Sequence, residues 1–167
     1  TCTIIAADFT LPMMRVGQTR LERSSRPIQR LNWCAADAHC LPFPDASFEA
    51  VVSGFLLRNI NDVLQSLCEQ WRVLKPGGTV VTLDTTPPRR GWLYPLVRFH
   101  LHFVIPLLGR ILTGQQEAYE YLPDSTENFL EAEQLATRLC EAGFADVGFQ
   151  RRMFDTIAVH WGSKPRE

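Results

Sequence analysis

The sequence predicts an α/β layer fold. Short apolar, β-type runs alternate along the chain with longer runs whose apolar residues recur at helical spacing. Three acidic residues, Asp8, Asp37 and Asp84, each close one of the strand-like runs. With 167 residues, 46% of them hydrophobic and 10% aromatic, the chain can fill one core, and a domain of this length removes about 68–70% of its unfolded surface from water. Disorder, collagen-like repeats and coiled coil are excluded by the same figures.

Thr3 to Ala7 (TIIAA) reads as a buried strand closed by Asp8. Thr10-Leu11-Pro12 offers a helix start with proline in the first turn, and the helix runs through Met13, Met14 and Val16 toward Leu21 before Ser24 to Pro27 ends it. Leu31 to Ala36 and Phe48 to Ser53 read as the next two strands, the first ending at Asp37. Asn61-Asp62 caps a helix whose apolar residues Val63, Leu64, Leu67, Trp71 and Leu74 keep helical spacing. Lys75-Pro76-Gly77-Gly78 stops that helix and turns the chain into a strand over Thr79 to Leu83. After Asp84, residues 85–125 read as an insertion that leaves the sheet and covers something. Glu131 to Ala142 forms a further helix closed by Gly143, followed by strands near Val147 to Arg151 and Thr156 to Trp161, the last of them antiparallel. There is no internal repeat and no sign of a second domain.

Charge and cysteine usage narrow the function classes. The 17 Lys+Arg nearly cancel the 18 Asp+Glu, which argues against nucleic acid as a partner. Five cysteines, Cys2, Cys34, Cys40, Cys68 and Cys140, show no Cys-x-x-Cys pair, so neither a disulfide framework nor a zinc ribbon is suggested and a cytoplasmic setting is the default. His100 and His102 sit two apart, on different faces of any helix, and His39 and His160 are isolated, so no metal site is expected. Trp92 to Leu112 is about as long as a membrane span, but Arg98, His100, His102 and Arg110 interrupt it and Pro95 and Pro106 would kink it. Charges inside a span cost roughly 2.5–3.5 kcal/mol each, so a lid or a helix lying on a surface is the better reading.

In open α/β sheets ligands bind beyond the carboxyl ends of the strands, which puts all three acids on the ligand side. A carboxylate ending the second strand accepts hydrogen bonds from a ribose, about 20 residues after a glycine loop. Counting back from Asp8 runs off the front of the chain, and neither G-x-G-x-x-G nor G-x-x-x-x-G-K-[ST] occurs. Asp8 can equally serve as a cap for the helix that starts near Leu11.

The combination of blocks is more specific than any one acid. Asp8-Phe9-Thr10, Asp37-Ala38-x-x-Leu41-Pro42-Phe43-Pro44-Asp45-x-Ser47-Phe48, Phe55-x-Leu57-Arg58-Asn59, Arg72-Val73-Leu74-Lys75-Pro76-Gly77-Gly78, and Pro106-Leu107-Leu108-Gly109 with Tyr119-x-Tyr121-Leu122-Pro123-x-Ser125 follow one another. In these the chain resembles, from about Ile4 to its end, the ubiquinone/menaquinone C-methyltransferase family. The acidic strand ends and L-K-P-G-G are widespread among class I methyltransferases, whereas the L-R-N and Y-x-Y-L-P-x-S blocks are narrower. The resemblance implies a Rossmann-like class I sheet with flanking helices and S-adenosylmethionine as cofactor. It also implies C-methylation of a lipid-tailed quinol, either a demethylmenaquinol or a ubiquinone precursor.

Carried over by position, the resemblance implies that Asp8 holds the ribose hydroxyls, that Asp37 and Ala38 lie at the adenine edge, and that Met13 packs near the adenine. Gly54 stands where the family often has Ser, so one polar contact near the cofactor is absent. Arg58 and Asn59 would meet the substrate: Arg58 stabilises a phenolate or orients a water that takes its proton, and Asn59 bonds a ring oxygen. Tyr119 and Tyr121 would bond quinol oxygens, and the Trp92 to Leu112 segment would receive a prenyl tail. A bland reading stands beside these: Asn59 or Asn61 as a helix cap, Arg58 as a surface charge, the tyrosines as packing. Peripheral contact with the inner face of a membrane and self-association are both compatible with the pattern.

The family's first strand and its glycine loop have no counterpart here, so the sequence reads as a domain incomplete at its N-terminus, with two facing strand edges left unpaired. A fragment of a longer enzyme is the favoured explanation. The alternatives are a methyltransferase for another small aromatic or lipid substrate, and a noncatalytic relative or subunit that binds a partner through the open edge.

Overall fold

A computed structural model describes residues 3–24, 30–88 and 129–166. Most of the predicted insertion lies outside these residues, including the Trp92 to Leu112 run and both Tyr119 and Tyr121. In order come β1 (Ile4–Asp8), α1 (Leu11–Glu22), β2 (Leu31–Ala35), β3 (Phe48–Gly54), a short 3-10 turn (Leu57–Asn59), α2 (Val63–Val73), β4 (Leu74–Thr85), α3 (Ala132–Glu141), β5 (Ala145–Arg152) and β6 (Ile157–Ser163).

The described strands form two sheets. β1 and β2 pair in parallel, from Ile4 opposite Leu31 to Asp8 opposite Ala35. The second sheet has the order β3-β4-β6-β5. β3 and β4 are parallel, and β6 runs antiparallel to both β4 and β5, which therefore run the same way as each other. The antiparallel last strand expected from the sequence is thus present. Among the described residues no ladder joins β1 to β3, so each has one unpaired edge, as the sequence led us to expect.

One face of the larger sheet carries the core. Leu57, Leu67, Leu74, Val80, Leu135, Leu139 and Phe144 are buried together, with Val51, Trp71 and Val147 packed around them. Alternation along the strands puts Val51 and Val80, register partners, on the face covered by α2 and α3. The opposite face carries Val52, which is 77% exposed, and Trp161, which is 41% exposed, on a row that also includes Val81.

The helix ends follow their chemistry. Asp62 caps α2 by accepting the Gln65 amide at 2.9 Å, as the Asn61-Asp62 pair predicted. α3 opens with a capping box, Glu131 and Gln134 exchanging side-chain and backbone bonds. At the other end of α2, the ammonium of Lys164 donates to the carbonyls of Trp71 (3.0 Å) and Leu74 (2.8 Å) and lies 3.8 Å from the Trp71 ring. A cation there meets both the carbonyls at the helix end and the negative end of the helix dipole.

One boundary differs from expectation. Lys75-Pro76-Gly77-Gly78 does not merely turn the chain, because β4 already begins at Leu74. Gly77 takes φ +78 and its amide bonds the Lys164 carbonyl at 2.8 Å, while Gly78 lies so close to the carbonyls of Lys75 and Glu49 that a Cβ would come within 2.8 and 3.0 Å of them. The glycines let this stretch pair where side chains would collide.

Lys164 is 9% exposed, and replacing it with Met keeps the apolar stem while removing the charged donor from two helix-end carbonyls, of which that of Trp71 keeps the Leu74 amide. Lys164→Met is expected to lower stability by roughly 1–3 kcal/mol, read as an earlier urea midpoint with an unchanged slope.

Candidate active site

The chain leaves β3 at Gly54 and turns sharply. Phe55 adopts φ +54, a left-handed conformation that a residue with a Cβ rarely takes, and its amide bonds the Leu83 carbonyl at 2.8 Å, across the end of β4. The 3-10 turn Leu57–Asn59 follows. Leu57 is fully buried in the core, so it pins the turn from below. The Asn59 side-chain amide donates to the Phe55 carbonyl at 2.8 Å and closes the turn from above.

Asp84 holds this turn from the neighbouring strand. Its carboxylate is 1% exposed and accepts the amides of Thr85 (2.8 Å) and Arg58 (3.2 Å). Burial pushes its pKa up from the ordinary carboxylate value, opposed by the amides of Thr85 and Arg58, the Arg58 charge and the Leu57 amide. The Arg58 side chain is 13% exposed, with Nε 3.9 Å from Asp84 Oδ1 and its guanidinium carbon 4.9 Å from the centre of the Phe55 ring. At 3.9 Å the ion pair is not a hydrogen bond. Nε and Nη1 of Arg58 are buried and have no hydrogen-bond partner among the described residues. Buried donors without acceptors are uncommon in native proteins and mark a place where an acceptor is expected.

Beneath this lies a polar row that sequence reasoning missed. Ser53, Thr82 and His160 are successive register partners across β3, β4 and β6, and Ser53 Oγ, Thr82 Oγ1 and His160 Nδ1 are all buried without partners among the described residues. His160 lies 2.8 Å through Nε2 from the Ala132 carbonyl, a bond that puts the ring proton on Nε2 and leaves Nδ1 an acceptor, and burial lowers its pKa. Only strand register brings these three together, and no local spacing signals it.

The loop after β2 reaches the same region. Asp37 Oδ1 accepts the His39 amide at 2.8 Å and lies 3.0 Å from His39 Nδ1, and the first of these contacts is the main reason its carboxyl sits below the usual range. His39 Nε2 accepts the Asp62 amide at 3.4 Å, so its proton resides on Nδ1, and Gln65 donates to the His39 carbonyl at 3.1 Å. His39 is therefore a clamp between Asp37 and the start of α2. Arg72 fastens the rest of the loop: it forms a two-pronged pair with Glu69 (2.8 Å twice), reaches Asp45 at 2.7 Å, and donates to the carbonyls of Phe43 (2.8 Å) and Leu41 (3.0 Å).

Asp8 lies at the end of β1, where Oδ1 accepts the Thr10 amide at 2.7 Å and steadies the entry to α1. Met13, 62% exposed, projects from the first turn of α1, while its neighbour Met14 is buried. Ala38 sits inside the Asp37–Cys40 turn. Gly54 faces open space, and a Cβ built there meets nothing within 4 Å. The structure thus places Gly54, Arg58 and Asn59 at the carboxyl end of β3, and Asp37 and Ala38 just beyond the carboxyl end of β2. Asp8 and Met13 follow the adjacent β1.

Comparison with known proteins places the chain as a whole. The ubiE/COQ5 methyltransferase family matches residues 1–164. The chain belongs to this family. It is 44% identical over 161 residues to the "Ubiquinone/menaquinone biosynthesis C-methyltransferase UbiE" of Desulfotalea psychrophila, covering 96% of this chain and 63% of that one. It is 40% identical over 164 residues to a demethylmenaquinone methyltransferase of Roseiflexus castenholzii, covering 96% and 65%. The chain thus spans a little under two thirds of the length of these relatives. A solved putative methyltransferase from Bacillus halodurans superposes with a TM-score of 0.67 at 15% identity, covering 98% of this chain and 84% of that one, which supports the Rossmann-like class I fold. The resemblance read from the sequence blocks is borne out, and so is the fold class drawn from it.

Glu69 gives the loop a pH signature. The bond from Arg72 is the main cause of its lowered pKa, with burial opposing and the Leu41 amide (2.8 Å) assisting. A carboxyl whose folded value is lowered contributes stability above its ordinary value, and that contribution is lost as pH falls through the lowered one. Glu69→Gln is expected to flatten the acid limb of the stability profile, measured as denaturant midpoints from neutral pH into acid.

Proposed function

We propose that the protein performs S-adenosylmethionine-dependent C-methylation of a prenylated quinol, a demethylmenaquinol or a ubiquinone precursor. The observation that carries this reading is the guanidinium of Arg58, in a turn fixed by Asp84, with two buried donors that find no acceptor among the described residues. Family membership and the printed names of the relatives support it.

The residues present suit such a cofactor. Asp8 and Asp37 are steadied by backbone amides at successive strand ends, and Asp37 is held in its charged, accepting form. Asp37 would accept the amino hydrogens of an adenine, Asp8 the hydroxyls of a ribose, and Ala38 leaves its backbone accessible beside them. Met13 offers an exposed apolar surface for the base. The cofactor supplies, when bound, a methyl group made electrophilic by a positively charged sulfur.

The chain's own work is then to raise the nucleophilicity of a ring carbon and to hold the quinol in line. Deprotonation of a quinol hydroxyl pushes charge onto the ring, and Arg58 Nε and Nη1 would stabilise the resulting oxyanion in a site largely shielded from water. A guanidinium has no acceptor of its own, so the proton would pass to a water that Arg58 orients. Asn59 holds the turn through the bond from its Nδ2 to the Phe55 carbonyl, and its Oδ1 would accept from a quinol hydroxyl. Tyr119 and Tyr121 would bond the quinol oxygens. We place the enzyme on the cytoplasmic side, at the inner face of a membrane that holds its lipid-tailed substrate; among the described residues no helix is long and apolar enough to cross one.

Arg58→Lys keeps the charge but loses the planar fork, and Arg58→Ala loses both. Methyl transfer to a quinol is expected to fall about 100-fold or more in Arg58→Ala, and by less in Arg58→Lys, with the thermal midpoint nearly unchanged. Undiminished transfer by folded Arg58→Ala removes the role assigned to it.

A further inference from the structure

We propose that Phe55 is the side chain against which the aromatic ring of the quinol packs, so that the ring's oxygen comes to rest at Arg58. This deepens the reading above, on which it rests, by naming what holds the ring that is methylated.

Neither the turn nor the core calls for a phenyl ring at this position. The Phe55 amide donates to the Leu83 carbonyl and its own carbonyl accepts from Asn59 Nδ2, both at 2.8 Å, which locks the residue at φ +54. Both bonds use backbone atoms of residue 55, so any side chain would serve them, and glycine or asparagine would take the left-handed conformation at lower cost. Leu57, two positions on, is fully buried and ties the turn to the core, whereas Phe55 stays 38% exposed. A large apolar ring kept partly in water on a strained backbone has its use outside the fold, and strain of this kind collects at ligand sites.

The surroundings of the ring select its ligand. The guanidinium carbon of Arg58 lies 4.9 Å from the ring centre, so the ring already attracts one cation. A second cation, the sulfonium of the methyl donor, would be repelled by the first, whereas an electron-rich ring is drawn to the phenyl group and the guanidinium alike. Nε and Nη1 of Arg58 are buried and find no acceptor among the described residues. An aromatic ring packed on Phe55 at the usual centroid separation of about 4.5–7 Å keeps its oxygens close enough to meet those donors. A prenyl chain would also suit Phe55 but would bring Arg58 no acceptor. Next to Phe55, a Cβ built on Gly54 meets nothing within 4 Å, which leaves room for a flat head group at the carboxyl end of β3.

Calorimetric binding of a tailless naphthoquinol head group, measured without oxygen, tests the contact separately from the reaction. Phe55→Gly and Phe55→Asn remove the ring and suit the left-handed turn, so both are expected to fold with thermal midpoints close to that of the wild type. Each should raise the Kd for the head group about tenfold or more and leave the Kd for S-adenosylhomocysteine unchanged, while Phe55→Tyr should bind the head group as the wild type does. In steady-state methylation the loss should fall on KM for the quinol, with kcat nearly unchanged. Unchanged head-group binding in the ringless variants, an equal loss of S-adenosylhomocysteine binding, or a fall in kcat with KM intact would each overturn the contact, the last by showing that Phe55 serves only to hold Arg58. Wild-type protein that does not bind the head group overturns it as well. If head-group binding depends on Phe55 while no quinol is methylated, the contact stands and the proposed reaction fails.

Discussion

A carboxylate withdrawn from water at the end of β4 is the constraint on which the site depends. Asp84 is nearly inaccessible and carries a raised pKa, so its burial alone is unfavourable. What offsets that cost is a set of backbone amides, two of them from the 3-10 turn and one from Thr85. The same contacts fix the turn: Leu57 goes down into the core, Arg58 stays beside the carboxylate, and Asn59 closes back onto Phe55. The parallel pairing of β3 and β4, with Gly54 opposite Leu83, brings the turn within reach of Asp84. Core packing and strand register thus meet at Asp84, and together they hold Arg58 beside it.

A second layer of constraint comes from the other loop. Asp37, His39 and the amide of Asp62 form a short chain of hydrogen bonds, and Arg72 gathers Glu69, Asp45 and two carbonyls into one node. Because Arg72 and Glu69 lie on α2, which packs under β4, the loop that carries Asp37 is indexed to the helix that begins just after Arg58. Two parts of the site separated in sequence thus share one rigid reference. β1 and β2 lean on it less, with Asp8 linked chiefly to its own helix entry.

Much of the fold was legible because its signals are local. The Asp62 cap, the alternation of β3 and the helical spacing of Val63 to Trp71 each announce themselves within a few residues. The extent of β4 did not, since Gly77 and Gly78 look like a stop until the Lys164 and Glu49 carbonyls are beside them. For the site, the three strand-end acids could be found, yet Asp84 could not be told apart from Asp8 and Asp37. Its burial and its bond to the Arg58 amide span 26 positions. His39 looked isolated for the same reason, as its partner amide is 23 positions away. The left-handed position 55 carries neither glycine nor asparagine, so no turn chemistry advertised it.

Amide hydrogen exchange at Arg58, compared between the wild type and Asp84→Ala, addresses the anchoring of the turn most directly, with the Leu67 amide in α2 as the internal reference. Local openings are resolved from global unfolding in such an experiment. Protection at Arg58 should fall at least tenfold in Asp84→Ala while Leu67 keeps its protection. Equal protection at Arg58 in both proteins would mean that the turn stands without the carboxylate, and the account of the site built on Asp84 would be wrong.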